Sequence, residues 1–321
     1  MESSSQGKRV AKPFLSVLMA AAAFGLAPTA MAEGDIAATA VKRYFLKEVN
    51  ARCGLLDAAT ARALSAGYVQ ARNGVLRAGH DMAELSPWLA KARSAAAAAP
   101  CDAPEVTTEA ELARGGYRRF LAQSSLDLPT GRTAWSGTRA HGSETRWRLV
   151  QYQNAAGIDA ALGLYGAVDR YSFAVMAKFK DGARPYSARL LVRDPAMAAV
   201  GLINPAPYDV SREAPLGLSE TGAISFMARA SSTTQAHLAP HVKVNSAGFS
   251  LTGKYVGDQS PVEAVRFDFP SRAFPAIGRL DPREDIVVVF ECDDGPRYVR
   301  FEVGDFVTGL TWVNLPSGWH I

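Results

Sequence analysis

The stretch Ile286-Val-Val-Val-Phe-Glu-Cys292, then Asp293-Asp-Gly-Pro296, then Arg297-Tyr-Val-Arg-Phe-Glu-Val303 decides how the rest of the chain is read. Two runs rich in β-branched and aromatic residues flank a turn cluster, which is the sequence form of a β-hairpin. With Asp294 and Gly295 at the tip, Phe290 is expected to face Val299, Val288 to face Phe301 and Ile286 to face Val303. The opposite side then pairs Glu291 with Tyr298, Val289 with Arg300 and Val287 with Glu302. Period-two alternation makes the first side a continuous apolar surface that another layer must cover, and the second side reads as the wetter one. Pro296 has no N–H, which favours a four-residue loop over a two-residue one in the same register.

Working outward, the same alternation recurs. Tyr171, Phe173, Val175, Ala177 and Phe179 form one stripe; after Asp181-Gly182, Tyr186, Ala188, Leu190 and Val192 form another. This pattern predicts a second hairpin. Further strands are expected over 146–153, 223–230, 242–245, 249–256 and 262–269, with Gly309–Asn314 as a closing strand. Pro205, Pro207 and Pro215 make 204–218 an irregular connection. Many short strands without helical periods between them point to an antiparallel β-sandwich or jelly roll.

The N-terminal part reads differently. Ile36, Ala40, Val41, Tyr44, Phe45 and Val49 recur at helical spacing, with Gly54 placed to end the helix. Asp57 is placed to cap a second helix running to Gly79. Asp81 and Glu84 form a capping box for a third, which Ser86-Pro87 is expected to restart and Pro100 to stop. Thr108 and Glu111 form another box for a fourth helix. The fold class is therefore α+β, an N-terminal helical hairpin unit over 33–123 followed by the antiparallel β domain over 146–321. Between them, 124–145 is rich in Ser, Thr, Gly and Pro and reads as a linker.

Residues 1–32 have the form of a signal peptide. Lys8, Arg9 and Lys12 precede an apolar run from Phe14 to Leu26, and Ala30-Met-Ala32 offers small residues for cleavage before Glu33. The run is too short to span a bilayer. The expected location is periplasmic or secreted. In that oxidising setting two of the three cysteines should pair, and the ends of the second and third helices bring Cys53 and Cys101 together. Cys292 is left over, at an inward strand position.

The chain carries 35 basic and 31 acidic residues, and three of the bases lie in the leader. Without a basic excess on either part, a nucleic-acid partner is not expected. Gly248-Phe-Ser-Leu-Thr-Gly-Lys254 approaches a phosphate-binding loop, but Tyr255 stands where the metal-binding hydroxyl belongs. His237 and His241 are four apart, with Pro240 opposing a helix through them. Glu291, Asp293, Asp294 and Asp305 lie around the hairpin without the ligand spacing of a calcium loop. No metal and no cofactor is expected. The one concentration of aromatic, basic and hydroxyl groups lies at the domain junction, where Trp135, Arg139, His141, Arg146 and Trp147 are the candidate binding residues. The expected role is a non-catalytic binding or scaffolding module of the cell envelope, with an envelope component or a protein as partner. The alternatives are an envelope hydrolase acting on glycan or peptide through dispersed carboxylates or histidines, and a docking factor using the helical hairpin.

Overall fold

The computed structural model describes residues 33–139, 145–155, 157–167, 170–197, 222–239 and 260–316. The chain divides into two compact units, one reaching Phe120 and one starting at Leu121. Helices come first and antiparallel sheets follow, so the fold is α+β.

The helical unit consists of α1 (Glu33–Cys53), α2 (Ala58–Arg77), α3 (Met82–Ala98) and α4 (Pro104–Ala122). Its boundaries follow local chemistry. Gly54, at φ 63°, ends α1 in the left-handed conformation that glycine adopts without steric cost. Asp57 caps α2 by accepting from the amides of Ala59 and Thr60, both at 2.9 Å. Asp81 caps α3 by accepting from Glu84 N at 2.9 Å. The helix then runs through Ser86-Pro87 without restarting, since a proline so near the N-terminus forfeits a single backbone hydrogen bond. The fourth helix starts at Pro104, four residues before the expected Thr108, because proline's fixed φ suits the first helical position.

Within this unit α2 and α3 both pack along α1. The ring of Tyr44 on α1 lies 5.2 Å from that of Tyr68 on α2, and its hydroxyl accepts from Arg93 Nε on α3 at 2.9 Å. Lys42 on α1 pairs with Glu109 on α4 at 2.8 Å. Cys53 and Cys101 are disulfide-bonded with Cα atoms 5.7 Å apart. The bridge ties the end of α1 to the turn between α3 and α4, and Arg52 beside it donates to the carbonyls of Ala96, at 3.1 Å, and Ala99.

The second unit contains two antiparallel sheets. The larger has seven strands in the order β1-β2-β3-β4-β5-β9-β8, the smaller four in the order β11-β10-β6-β7. The strands are β1 Ser125–Pro129, β2 Ala134–Thr138, β3 Arg146–Ala155, β4 Ile158–Ala167, β5 Arg170–Phe179, β6 Ser187–Arg193, β7 Ala223–Met227, β8 Ala230–Ala236, β9 Val262–Phe269, β10 Asp285–Cys292 and β11 Gly295–Glu302. Two helices complete the unit, α5 (Ala273–Ile277) and α6 (Phe306–Val313). The sheets face one another through Phe290, whose ring lies 5.3 Å from Phe179 and 6.0 Å from Phe267. Over β1–β3 the same layer is filled by α6, where Phe306 packs on Trp135 with centroids 4.9 Å apart.

Several expectations change here. The segment expected to be a linker carries β1 and β2, with Leu128 and Trp135 fully buried. Gly309–Asn314 is helical in its larger part, because Trp312 and Thr308 bury one side of α6 at a spacing of four. The segment 223–230 breaks after Met227, β7 pairing in the smaller sheet and β8 in the larger. Most instructive, β5 and β6 are not a hairpin. β5 pairs with β4 and β9, whereas β6 pairs with β10 and β7. Period-two alternation marks the side that faces the core. It does not distinguish a hydrogen-bonded neighbour from a strand stacked in the opposite sheet. The strand candidates 242–245 and 249–256 lie outside the described residues.

The central hairpin forms with Asp293 and Asp294 as a two-residue loop, so Phe290 faces Arg297, Val288 faces Val299 and Ile286 faces Phe301. This register differs from the expected one by two residues, which leaves every side chain on its predicted face. Cys292 accordingly faces Gly295, which has φ 111°. Alternation of the ladder from this loop turns the N–H positions of residues 296, 298, 300 and 302 away from β10, toward the sheet edge. Pro296 thus loses no ladder bond there, which removes the objection to the shorter loop. The second face is also closed, for Val287 and Val289 are fully buried and Arg300 is 7% exposed. The unbroken run Ile286–Phe290 is the pattern of a strand covered on both sides.

Candidate functional site

Of the junction residues singled out in the sequence, Trp135, Arg139, Arg146 and Trp147 are described. Trp135 is a core residue whose indole N–H donates to the carbonyls of Glu302 at 3.0 Å and Val303 at 3.1 Å. Arg139 donates to the carbonyls of Trp312, Leu315 and Pro316 at 3.2, 2.9 and 2.8 Å and so caps the end of α6. Trp147 packs with Val150, Ala161 and Met176 on the face of the larger sheet turned away from α6, and donates to His237 O at 3.3 Å. Arg146 is half-buried at the start of β3, and His141 lies outside the described residues. Trp135, Arg139 and Trp147 thus hold parts of the β unit together.

The acidic groups have structural partners as well. Glu302 is the most heavily engaged. Its carboxylate accepts from the amides of Gly131, Arg132 and Thr133 at 3.0–3.1 Å, from Thr133 Oγ1 at 3.0 Å, and from the Thr130 hydroxyl. The β1–β2 turn is therefore an anion-binding nest occupied by a side chain of the same protein. Burial, the largest single influence, raises the Glu302 carboxyl, but the hydroxyl and amide donors and Arg132 together hold it below the usual range. A Cβ at Gly131 would come within 2.7 Å of Glu302 Oε1, which accounts for glycine there. Arg132 also reaches Asp285 at 2.8 Å, and Arg193 grips Glu284 at 2.6 and 2.7 Å. The main chain of Glu302 is satisfied separately. Gln151 takes its N–H at 2.7 Å and gives to its C=O at 3.2 Å, so one side-chain amide stands in for a neighbouring strand at this edge.

The carboxylates around the hairpin are divided between its two ends. Glu291 pairs with Arg189 at 2.9 Å and Asp294 with Arg297 at 2.6 Å near the tip, while the fully buried Asp305 lies past the far end of β11. An eight-residue strand spans roughly 26 Å, which is too far for one ion. Among the described residues no cluster of three or more His, Cys, Asp or Glu is placed to hold a metal. His241 and the Gly248–Lys254 stretch lie outside the described residues. Cys292 is buried; burial pushes its thiol up, against the lowering influence of Arg297, which disfavours the reactive thiolate.

A recess lies in the helical unit instead. Arg43 on α1, Leu64, Gly67 and Gln70 on α2, and Tyr117 and Phe120 on α4 line a mainly apolar cleft of about 60 Å³. Small residues make the room: Ala63 and Gly67 on α2, Ala113 and Gly116 on α4. Arg43 donates from Nη1 to Gly67 O at 2.5 Å, and a Cβ at Gly67 would meet that nitrogen at 3.3 Å. Burial pushes the Arg43 guanidinium down to about 10, so it stays charged at neutral pH although it is largely stripped of water. The cleft combines an apolar wall with a desolvated cation, which is the pairing that recognises an anion carrying an apolar group. Sequence reasoning missed it. The available signal was an arginine beside the buried Tyr44, together with two glycines inside otherwise regular helices, each costing roughly 1 kcal/mol of helix stability relative to alanine.

Set beside protein family models, curated proteins and solved structures, the chain matches none.

Proposed function

We propose that the protein is a non-catalytic binding module of the cell envelope, periplasmic or secreted, whose ligand site is the cleft between α1, α2 and α4. The observation that carries this reading is Arg43, a charged and desolvated side chain lining a recess that helix-interior glycines keep open. The disulfide and the signal-like N-terminus support the compartment. Binding is favoured over hydrolysis because Glu284, Asp285 and Glu302 are each held by guanidinium or main-chain donors, a use of carboxylates that fixes loops and strands. No helix among the described residues is long and apolar enough to cross a membrane.

Thermal denaturation of the full chain with small organic anions, cations and neutral compounds tests this. A compound that binds the native state alone raises the melting temperature. At least one is expected to do so, and Gly116→Leu, which fills the cleft, is expected to abolish the rise. A panel without any shift, or a shift that survives Gly116→Leu, would refute the cleft as the site.

A further inference from the structure

Independently of the cleft, we infer that α3 docks on α3 of a second copy of this chain as an antiparallel, two-fold pair. Of the 17 residues of α3, Leu85, Ala92 and Ala96 alone are buried, and they form the stripe turned toward α1. Beside that stripe Glu84, Trp88 and Lys91 recur at spacings of four and three, so they share one face of the helix. All three are exposed. Trp88 is 53% exposed, an uncommon state for a residue type that is highly buried on average and enriched among the anchors of protein interfaces.

The order of charges identifies the occupant. An acid precedes Trp88 by one turn and a base follows it by one turn. A two-fold axis beside Trp88 reverses one helix against the other. It sets Glu84 of each copy opposite Lys91 of the other copy and brings the two indoles together between these pairs. An in-register parallel pair would set like charges against each other, and an anionic lipid surface would be repelled by Glu84 and Asp81. The pairing is compatible with the contacts already made. Lys91 Nζ lies 4.8 Å from the centre of the Trp88 ring, and an ammonium has three donors. Glu84 shares a 2.7 Å hydrogen bond with His80 Nδ1 through one of its two oxygens. The face is short, about 25 Å for the 17 residues of the helix, so the association is weak and reversible, at the low end of the range of interfaces.

Sedimentation equilibrium of the full chain, from about 1 µM to about 1 mM at low salt, tests the pairing. A reversible monomer–dimer equilibrium is expected. Trp88→Ala, Glu84→Lys and Lys91→Glu are each expected to weaken it roughly tenfold or more. Mixing the last two in equal amounts is expected to restore association, because the two altered faces complement each other and not themselves. Monomer throughout the range would overturn the inference, as would a dimer that Trp88→Ala leaves unchanged. A mixture that associates no better than either variant alone would overturn the antiparallel pairing. A monomeric chain that co-sediments with phosphatidylglycerol vesicles would give this face to a membrane and overturn it as well.

Discussion

The two units of this protein are held in opposite ways. In the helical unit the ties that set where each helix begins and ends are short in sequence. Asp57 caps the helix that begins beside it, Gly54 ends the one before, and the long-range covalent tie is the Cys53–Cys101 bridge. In the β unit the decisive ties span most of the unit. Glu302 enters the turn at 130–133, Gln151 completes the edge of β11, and Phe290 meets Phe179 and Phe267 across the sheets. The difference teaches where each kind of element gets its stability. A helix satisfies its own backbone and needs help at its ends, whereas a strand depends wholly on partners that other parts of the chain supply.

The largest expected effect breaks the β side of this comparison. Phe301→Ala empties a fully buried site next to Ile286 and should cost roughly 3–5 kcal/mol in urea unfolding. Arg300→Ala, on the other face, should also exceed 1 kcal/mol, because Arg300 is buried 3.6 Å from the carboxylate of Asp285. A near-neutral Arg300→Ala would mean that this face is wet after all.

Next comes the bridge. Replacing Cys53 and Cys101 together by Ser opens a loop of about 49 residues, and the chain-entropy account puts the loss at about 4 kcal/mol. Far-ultraviolet circular dichroism during denaturation would read it as earlier loss of helix. Retention of full helical stability would show that packing on α1 suffices without the bond.

Glu302→Gln should cost roughly 2–3 kcal/mol near neutral pH, since the amide cannot accept from all the donors of the turn. Its pH dependence has a definite sign. The folded carboxyl lies below its ordinary value, so its contribution is fully present above the unfolded value of about 4.3 and is lost as pH falls through the folded one. The stability gap between the two proteins should therefore close in acid. A gap that stayed constant with pH would mean that the charge of Glu302 does not matter.

At the local end, Asp57→Ala removes the carboxylate that accepts from two amides at the start of α2 and should cost about 1 kcal/mol. Smallest of all, Pro296→Ala should change stability by less than about 0.5 kcal/mol, because that backbone position faces the sheet edge. A larger effect would point to a different hairpin loop.

The same contrast governs what could be read in advance. Helices, the caps at Asp57 and Asp81, and the disulfide were legible because capping, periodicity and cysteine pairing act over neighbouring residues or within one small unit. Strand faces were legible too, including both faces of the central hairpin apart from the dryness of the second. Strand partners were not. The alternating stripe at 186–192 looks the same whether it pairs with β5 or stacks across the core from it, and the structure chose β10 and β7. The junction aromatics were legible as notable but not as structural, since Trp135 acquires its meaning from residues 302, 303 and 306.

By itself, then, the sequence determined the class of fold, the order of its parts, the core-facing side of β5, β6 and the central hairpin, and the pairing of Cys53 with Cys101. Those properties follow from the side-chain period and from interactions whose partners lie close along the chain. Tertiary structure alone decided the division of strands between two sheets, the capture of Glu302 by a distant turn, and the cleft at Arg43. A cleft is a gap among helices, and this one opens where small residues of α2 and α4 meet beside an arginine of α1, each unremarkable in its own helix. Their juxtaposition depends on how the helices pack, which no local pattern encodes.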